Sequence, residues 1–131
     1  MGLYEVIVAD THALIWWSGS AAELSPAGRA ILDVGPVRVP SIVCLEVALL
    51  ARRRRIDLST DPLKWLERLF QLTNVDLVPI TPVIAVLAAN LPEPIRDPAD
   101  RLIVATALHL GVPLVTKDAR IREANVVETI W

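Results

Sequence analysis

The chain has 131 residues, 53% of them apolar, a formal net charge of −2 and one cysteine, Cys44. That length suits one domain over 1–131, and that apolar fraction excludes a disordered tail. A basic nucleic-acid coat and an internal disulfide are excluded too, and the lone cysteine fits a reducing compartment.

The chain opens MGLYEVIVAD, with no basic run and with Glu5 and Asp10 where a secretory leader would be apolar. Val6 stands where a myristoylation signal on Gly2 would need Ser or Thr. The β-branched run here predicts a strand over 3–9, then a helix over 12–17. Four prolines follow good capping residues, in Ser25-Pro26, Asp61-Pro62, Thr81-Pro82 and Asp97-Pro98. Proline fits the first helical position after a side chain that caps the open amides. These pairs predict helices over 26–33, 62–72, 82–90 and 98–110, and Ser41 after Pro40 starts another over 42–54. Strands are expected at 37–39, 76–79, 112–115 and 126–130, with a short helix at 119–124. The strands are nearly continuous in apolar residues, as in a parallel sheet covered on both faces. Alternation with helices implies right-handed crossover units in an α/β fold. The longest apolar stretch, 77–91, is broken by Pro79 and Pro82. No run approaches the roughly 18 residues of a membrane span, so no membrane association and a cytoplasmic location are expected.

Ligands of such folds bind outside the carboxyl ends of the strands. Four acidic residues belong to that edge: Asp10 after the first strand, Glu46 and Asp100 early in helices, and Asp118 after the fourth strand. Each has a structural reading. Asp10 could cap the first helix, although Thr11 could cap it as well and leave Asp10 free. Glu46 could lie on a solvated stripe with Arg53, yet its neighbours Ile42, Cys44, Leu45, Val47, Ala48 and Leu49 are all apolar. Asp97 is the natural cap in DPAD, and Asp100 could complete a capping box. Asp118 could cap the last helix. Jointly, four clustered carboxylates would repel one another without a counter-ion. Mg²⁺ or Mn²⁺ relieves that repulsion, and such ions activate water for phosphodiester cleavage. His12 and His109 have no partners at zinc-ligand spacing, and no Gly-rich phosphate loop or GxSxG is present.

The runs VIVADTHALIWW, PSIVCLEVALL, RDPADRLIVATAL and PLVTKDARI together resemble a PIN-domain ribonuclease, most of all the VapC-type toxins of bacterial toxin–antitoxin pairs. The resemblance spans essentially the whole chain, and the DPADR segment is its most specific part. It implies a three-layer α/β/α sandwich with a mainly parallel, about five-stranded sheet. It also implies a Mg²⁺- or Mn²⁺-dependent endoribonuclease, a homodimer, and a small cognate VapB-type antitoxin covering the active site. Asp10, Glu46, Asp100 and Asp118 match the four acidic positions, as metal ligands and catalytic residues. Asp97, Thr11 and Thr116 are expected beside those ligands, Thr116 matching the hydroxyl residue that accompanies the fourth acid.

Arg52–Arg55 is the one dense charge run. It suits the C-terminal dipole of a helix or an RNA phosphate, with Arg53 roughly 10 Å along the helix from Glu46. Arg101 and Lys117 are nearer the acids and are further candidates for RNA contact, Arg101 having a salt bridge to Asp97 as its alternative. Adjacent Trp16 and Trp17 cannot both face a core, so one is expected to be exposed for a protein interface, base stacking being the weaker reading. A PIN-type processing nuclease without an antitoxin, and a receiver-like phospho-signalling module, are the competing functions. The receiver reading lacks the paired acids after the first strand.

Overall fold

Every connection between strands passes through helix, which is what a parallel sheet requires of its crossovers. The computed structural model describes residues 6–19 and 22–131. The strands are β1 (Ile7–Ala9), β2 (Val37–Pro40), β3 (Val75–Val78), β4 (Leu114–Val115) and β5 (Thr129–Ile130). They form one sheet in the order β3-β2-β1-β4-β5, and every pair is parallel. The helices are α1 (Thr11–Ser18), α2 (Pro26–Val34), α3 (Ile42–Arg52), α4 (Pro62–Gln71), α5 (Pro82–Ala89), α6 (Pro98–Leu110) and α7 (Ala119–Ala124).

All four Xaa-Pro pairs begin helices as expected. The side chains of Ser25, Asp61, Thr81 and Asp97 each accept an amide hydrogen bond, with proline next in the chain. Ser41 also precedes a helix, but its backbone is already helical and its side chain makes no capping bond. The predicted α6 and α7 agree to the residue. The predicted strand at 3–9 is found at Ile7–Ala9, and residues 3–5 lie outside the described residues. The strands foreseen at 112–115 and 126–130 shrink to two residues each, because their shared ladder holds only two registered pairs. Gly111 ends α6 in the left-handed conformation (φ 68°), which any side chain would strain, and the chain turns directly into β4.

Coverage of the sheet is uneven. The three residues of β1 are all buried, whereas β3 lies at an edge with Asp76 and Leu77 exposed. β3 is therefore not covered on both faces as its composition suggested, whereas β2 has only Arg38 short of full burial. In register, Arg38 faces Asp76 and donates to its carboxylate at 3.0 Å. α6 is the central helix: Ile103, Val104, Ala105, Thr106 and Ala107 are buried, and it packs on α5, α3, β1 and β2. Burying Ile103 and Val104 stabilises by roughly 1.5–3 kcal/mol each, and the small Ala105 and Ala107 let the neighbouring elements approach closely. This packing fixes the start of α6 against the carboxyl end of β1.

Candidate active site

The chain runs from β1 outward to β3, then crosses back to β4 on the other side of β1. This strand-order reversal opens a crevice outside the carboxyl ends of β1 and β4, the place where such sheets bind ligands. A cleft of about 540 Å³ lies there, lined by Asp10, Thr11, His12, Trp16, Glu46, Asp97, Asp100, Ile103, Lys117 and Asp118. All four acids singled out in the sequence meet in it.

Each acid is held by the element that delivers it. Asp10 leaves β1 and caps α1, with Oδ1 accepting from the Ala13 amide at 2.9 Å. Thr11 therefore does not cap in its place, and Asp10 performs two tasks at once. Its Oδ2 accepts from the hydroxyl of Thr116, which is fully buried at the end of β4. The same Thr116 oxygen accepts the backbone N–H of Asp118 at 3.1 Å, so one hydroxyl ties the first acid to the fourth. Asp118 caps α7, with Oδ1 accepting from the amides of Arg120 and Ile121. Buried Thr11, freed from capping, donates its hydroxyl to Glu46 Oε1 and joins α1 to α3. Both threonines expected beside the ligands thus grip them directly.

Glu46, Asp97 and Asp100 each offer a carboxylate oxygen, and these oxygens lie within 4.8 Å of one another. Asp97 caps α6, with Oδ1 accepting from the Ala99 amide at 2.9 Å, and still joins this acidic group. Burial pushes the Asp10 carboxyl above the ordinary carboxylate range. Burial also raises Glu46, against the Thr11 hydrogen bond and with the charges of Asp97 and Asp10 adding to the rise. Asp100 is pushed up to about 7, by burial first and then by Asp97, Glu46, Asp118 and Asp10. Among the described residues no ion pair neutralises any of these five acids. Hard oxygen donors, close together and unpaired by any salt bridge among the described residues, fit a divalent metal ion.

The basic residues divide. Lys117 is exposed and lines the cleft, with its ammonium 5.7 Å from the centroid of the Trp16 ring. Arg101 is turned toward the segment between α5 and α6. All five of its N–H donors go to backbone carbonyls: Nε to Ala88, the Nη2 pair to Ala89 and Leu91, and the Nη1 pair to Pro92 and Ile95. These donors are committed to the fold, and among the described residues Arg101 forms no salt bridge to Asp97. α3 stops at Arg52 rather than at 54, and exposed Arg53 caps it outside the acidic cleft. Arg52, Arg54 and Arg55 line a separate cavity of about 700 Å³ with Ile56, Leu58 and Pro62.

Neither Trp16 nor Trp17 is fully exposed, which corrects the expectation for that pair. Trp17 Nε1 donates to Asp33 at 2.8 Å, while Trp16 enters the cleft wall beside His12. His12 escaped the sequence reading as a site residue, and Trp16 entered it only through the weaker reading of base stacking. Their spacing of four along α1 was the available signal, because such residues share a helix face.

A PIN domain family model matches residues 7–127. The curated relative Ribonuclease VapC22 of Mycobacterium tuberculosis is 42% identical over 129 residues, covering 95% of this chain and 98% of its own. Among solved structures, VapBC2 from Rickettsia felis, bound to a DNA fragment from their promoter, matches with a TM-score of 0.68 at 12% identity, over 95% of this chain and 96% of that one. A toxin–antitoxin complex from Klebsiella pneumoniae matches with a TM-score of 0.60 at 21% identity, over 92% of this chain and 94% of that one. At these identities the solved structures speak to the fold alone.

Proposed function

The chain belongs to the PIN domain family, and from that premise we propose that it is a metal-dependent endoribonuclease acting as the toxin of a toxin–antitoxin pair. The observation that carries this is the cleft itself, where Glu46, Asp97 and Asp100 converge within 4.8 Å and Asp10 and Asp118 line the same wall, none of them in a salt bridge among the described residues. The ribonuclease name of a 42% identical relative, aligned over nearly its whole length, supports the reaction class. The VapC name of that same relative supports the biological role, and the solved toxin–antitoxin structures support the fold.

In this reading Asp10, Glu46, Asp100 and Asp118 hold Mg²⁺ or Mn²⁺, with Asp97 adjoining them. The bound cation supplies an activated water and stabilises the charge that develops on the phosphate. Thr11 and Thr116 orient Glu46 and Asp10, so little reorganisation is needed on binding. Asp100, raised to about 7, would have to give up its proton to serve as a ligand. Lys117 takes a phosphate oxygen inside the cleft, and Arg53 a more distant phosphate. The partners are RNA, a cognate VapB-type antitoxin and a second copy of the chain, for which the exposed Val83 and Val86 of α5 offer apolar surface. Among the described residues no helix is long and apolar enough to cross a membrane. We assign a single nuclease domain acting in the cytoplasm.

Incubation of the purified protein with single-stranded RNA tests the reaction. Cleavage should vanish on chelation, return with Mg²⁺ or Mn²⁺, and be absent from the Asp10→Asn variant. Cleavage that persists in chelator, or in Asp10→Asn at the wild-type rate, would overturn the metal reading.

A further inference from the structure

Two aromatic rings and one ammonium line the acidic cleft, a third ring backs them, and the phosphodiester chemistry uses none of the rings. Trp16 and His12 line the cleft with ring centroids 5.5 Å apart. Trp131, from beyond β5, packs against Trp16 at 5.7 Å and a tilt of 59°. The neighbouring Trp17 shows what a purely structural indole does here: its N–H is bound to Asp33. Among the described residues no hydrogen bond engages the Trp16 N–H.

We propose that Trp16 and His12, buttressed by Trp131, form the stacking platform for a base of single-stranded RNA next to the scissile phosphate, with Lys117 bridging from that platform to the phosphate. The proposal rests on the ribonuclease reading and adds to it how the substrate is gripped. A net charge of −2 gives the protein little general attraction for RNA. Stacking can replace part of that attraction, since base–aromatic contacts contribute about 1–3 kcal/mol per base and tolerate any sequence. A cleft lined by five acids repels phosphates until cations occupy it, so an uncharged foothold beside it has a clear use. Lys117 sits near the outer limit of attraction to an aromatic face, about 6 Å, and among the described residues forms no ion pair. It is free to exchange the ring for a phosphate.

The test uses the full chain carrying Asp10→Asn, which should bind RNA without cutting it, and a set of short single-stranded RNAs in which one abasic nucleotide is moved position by position. One position should weaken binding by roughly 5- to 150-fold, the span of one stacked base. In the background of Trp16→Ala that abasic penalty should vanish, while Trp16→Phe should retain most of it. Mn²⁺ affinity of the Trp16→Ala protein, read by electron paramagnetic resonance, should stay at the wild-type value, showing an intact acidic site. An abasic penalty unchanged by Trp16→Ala, or no penalty at any position, overturns the platform. If wild-type protein cuts RNA and only the penalty is missing, the ribonuclease reading stands without the platform. If wild-type protein neither binds nor cuts, both fall.

Discussion

At the scale of single residues, Thr116 shows how much one buried hydroxyl can organise. It donates to Asp10 and accepts from the Asp118 backbone, across a sequence separation of 106 residues from Asp10. Losing a partner that orients a metal ligand typically costs 10–100-fold in affinity or activity. Thr116→Ala should therefore lower Mn²⁺ affinity and cleavage by about that factor, and Thr116→Ser should restore most of both, as titration calorimetry and cleavage rates would record. Asp100 adds a pH dependence. Its carboxyl is raised to about 7 without metal and must lose its proton to bind one. Mn²⁺ affinity should then rise by up to about tenfold per pH unit below 7 and level off above it. Asp100→Asn should flatten that profile along with its loss of affinity. The identities of the four acids were legible from their positions at strand ends and early helical turns. Their attachment to Thr11 and Thr116 was not, because those contacts depend on which strands become neighbours.

Among the elements, the segment joining α5 to α6 departs most from what its sequence suggested. Arg101 looked like an RNA contact because it follows Asp100 at the cleft. The helix instead turns it toward the last turn of α5 and the following loop, where its planar fork meets five carbonyls. Two of them, on Ala88 and Ala89, belong to the end of α5, where carbonyls lack helical partners. Leu91 and Ile95 are buried in the same loop, which leads into Asp97. Arg101→Lys should destabilise the protein by about 3 kcal/mol or more in urea unfolding, since one ammonium cannot replace a fork of five donors. It should also weaken Mn²⁺ binding by loosening the approach to Asp97. A variant as stable as wild type would contradict this account. α6 itself was legible to the residue, because Asp97-Pro98 marks its start and Gly111 its end. The end of α3 was not: a run of four arginines continues a helical pattern well, yet Arg54 takes a positive φ and breaks it.

For the whole molecule, the acids set a conflict between function and stability. Asp10, Glu46 and Asp100 all have raised pKa values in the metal-free fold, chiefly through burial. The folded chain therefore holds more protons than the unfolded chain above pH 4. Stability from this source is full below the unfolded carboxylate range, near pH 4, and is lost as pH rises through the folded values, near 7 for Asp100. Metal-free protein should melt at a lower temperature at pH 7.5 than at pH 5.5, and Mn²⁺ should reverse the loss at pH 7.5 through preferential binding to the folded state. Scanning calorimetry in chelator and in Mn²⁺ reads both effects, and an unchanged melting temperature on adding metal would count against the site. By itself, the sequence determined the α/β class, the helix starts and the four acids of the carboxyl edge, since capping chemistry and apolar patterning are local. The tertiary structure alone decided that Thr11 and Thr116 hold the acids, that Arg101 serves a loop, and that His12 and Trp16 face the cleft. The Thr116 contact turns on β1 and β4 becoming neighbours and the Thr11 contact on the packing of α1 against α3, which bring together groups that no local pattern relates.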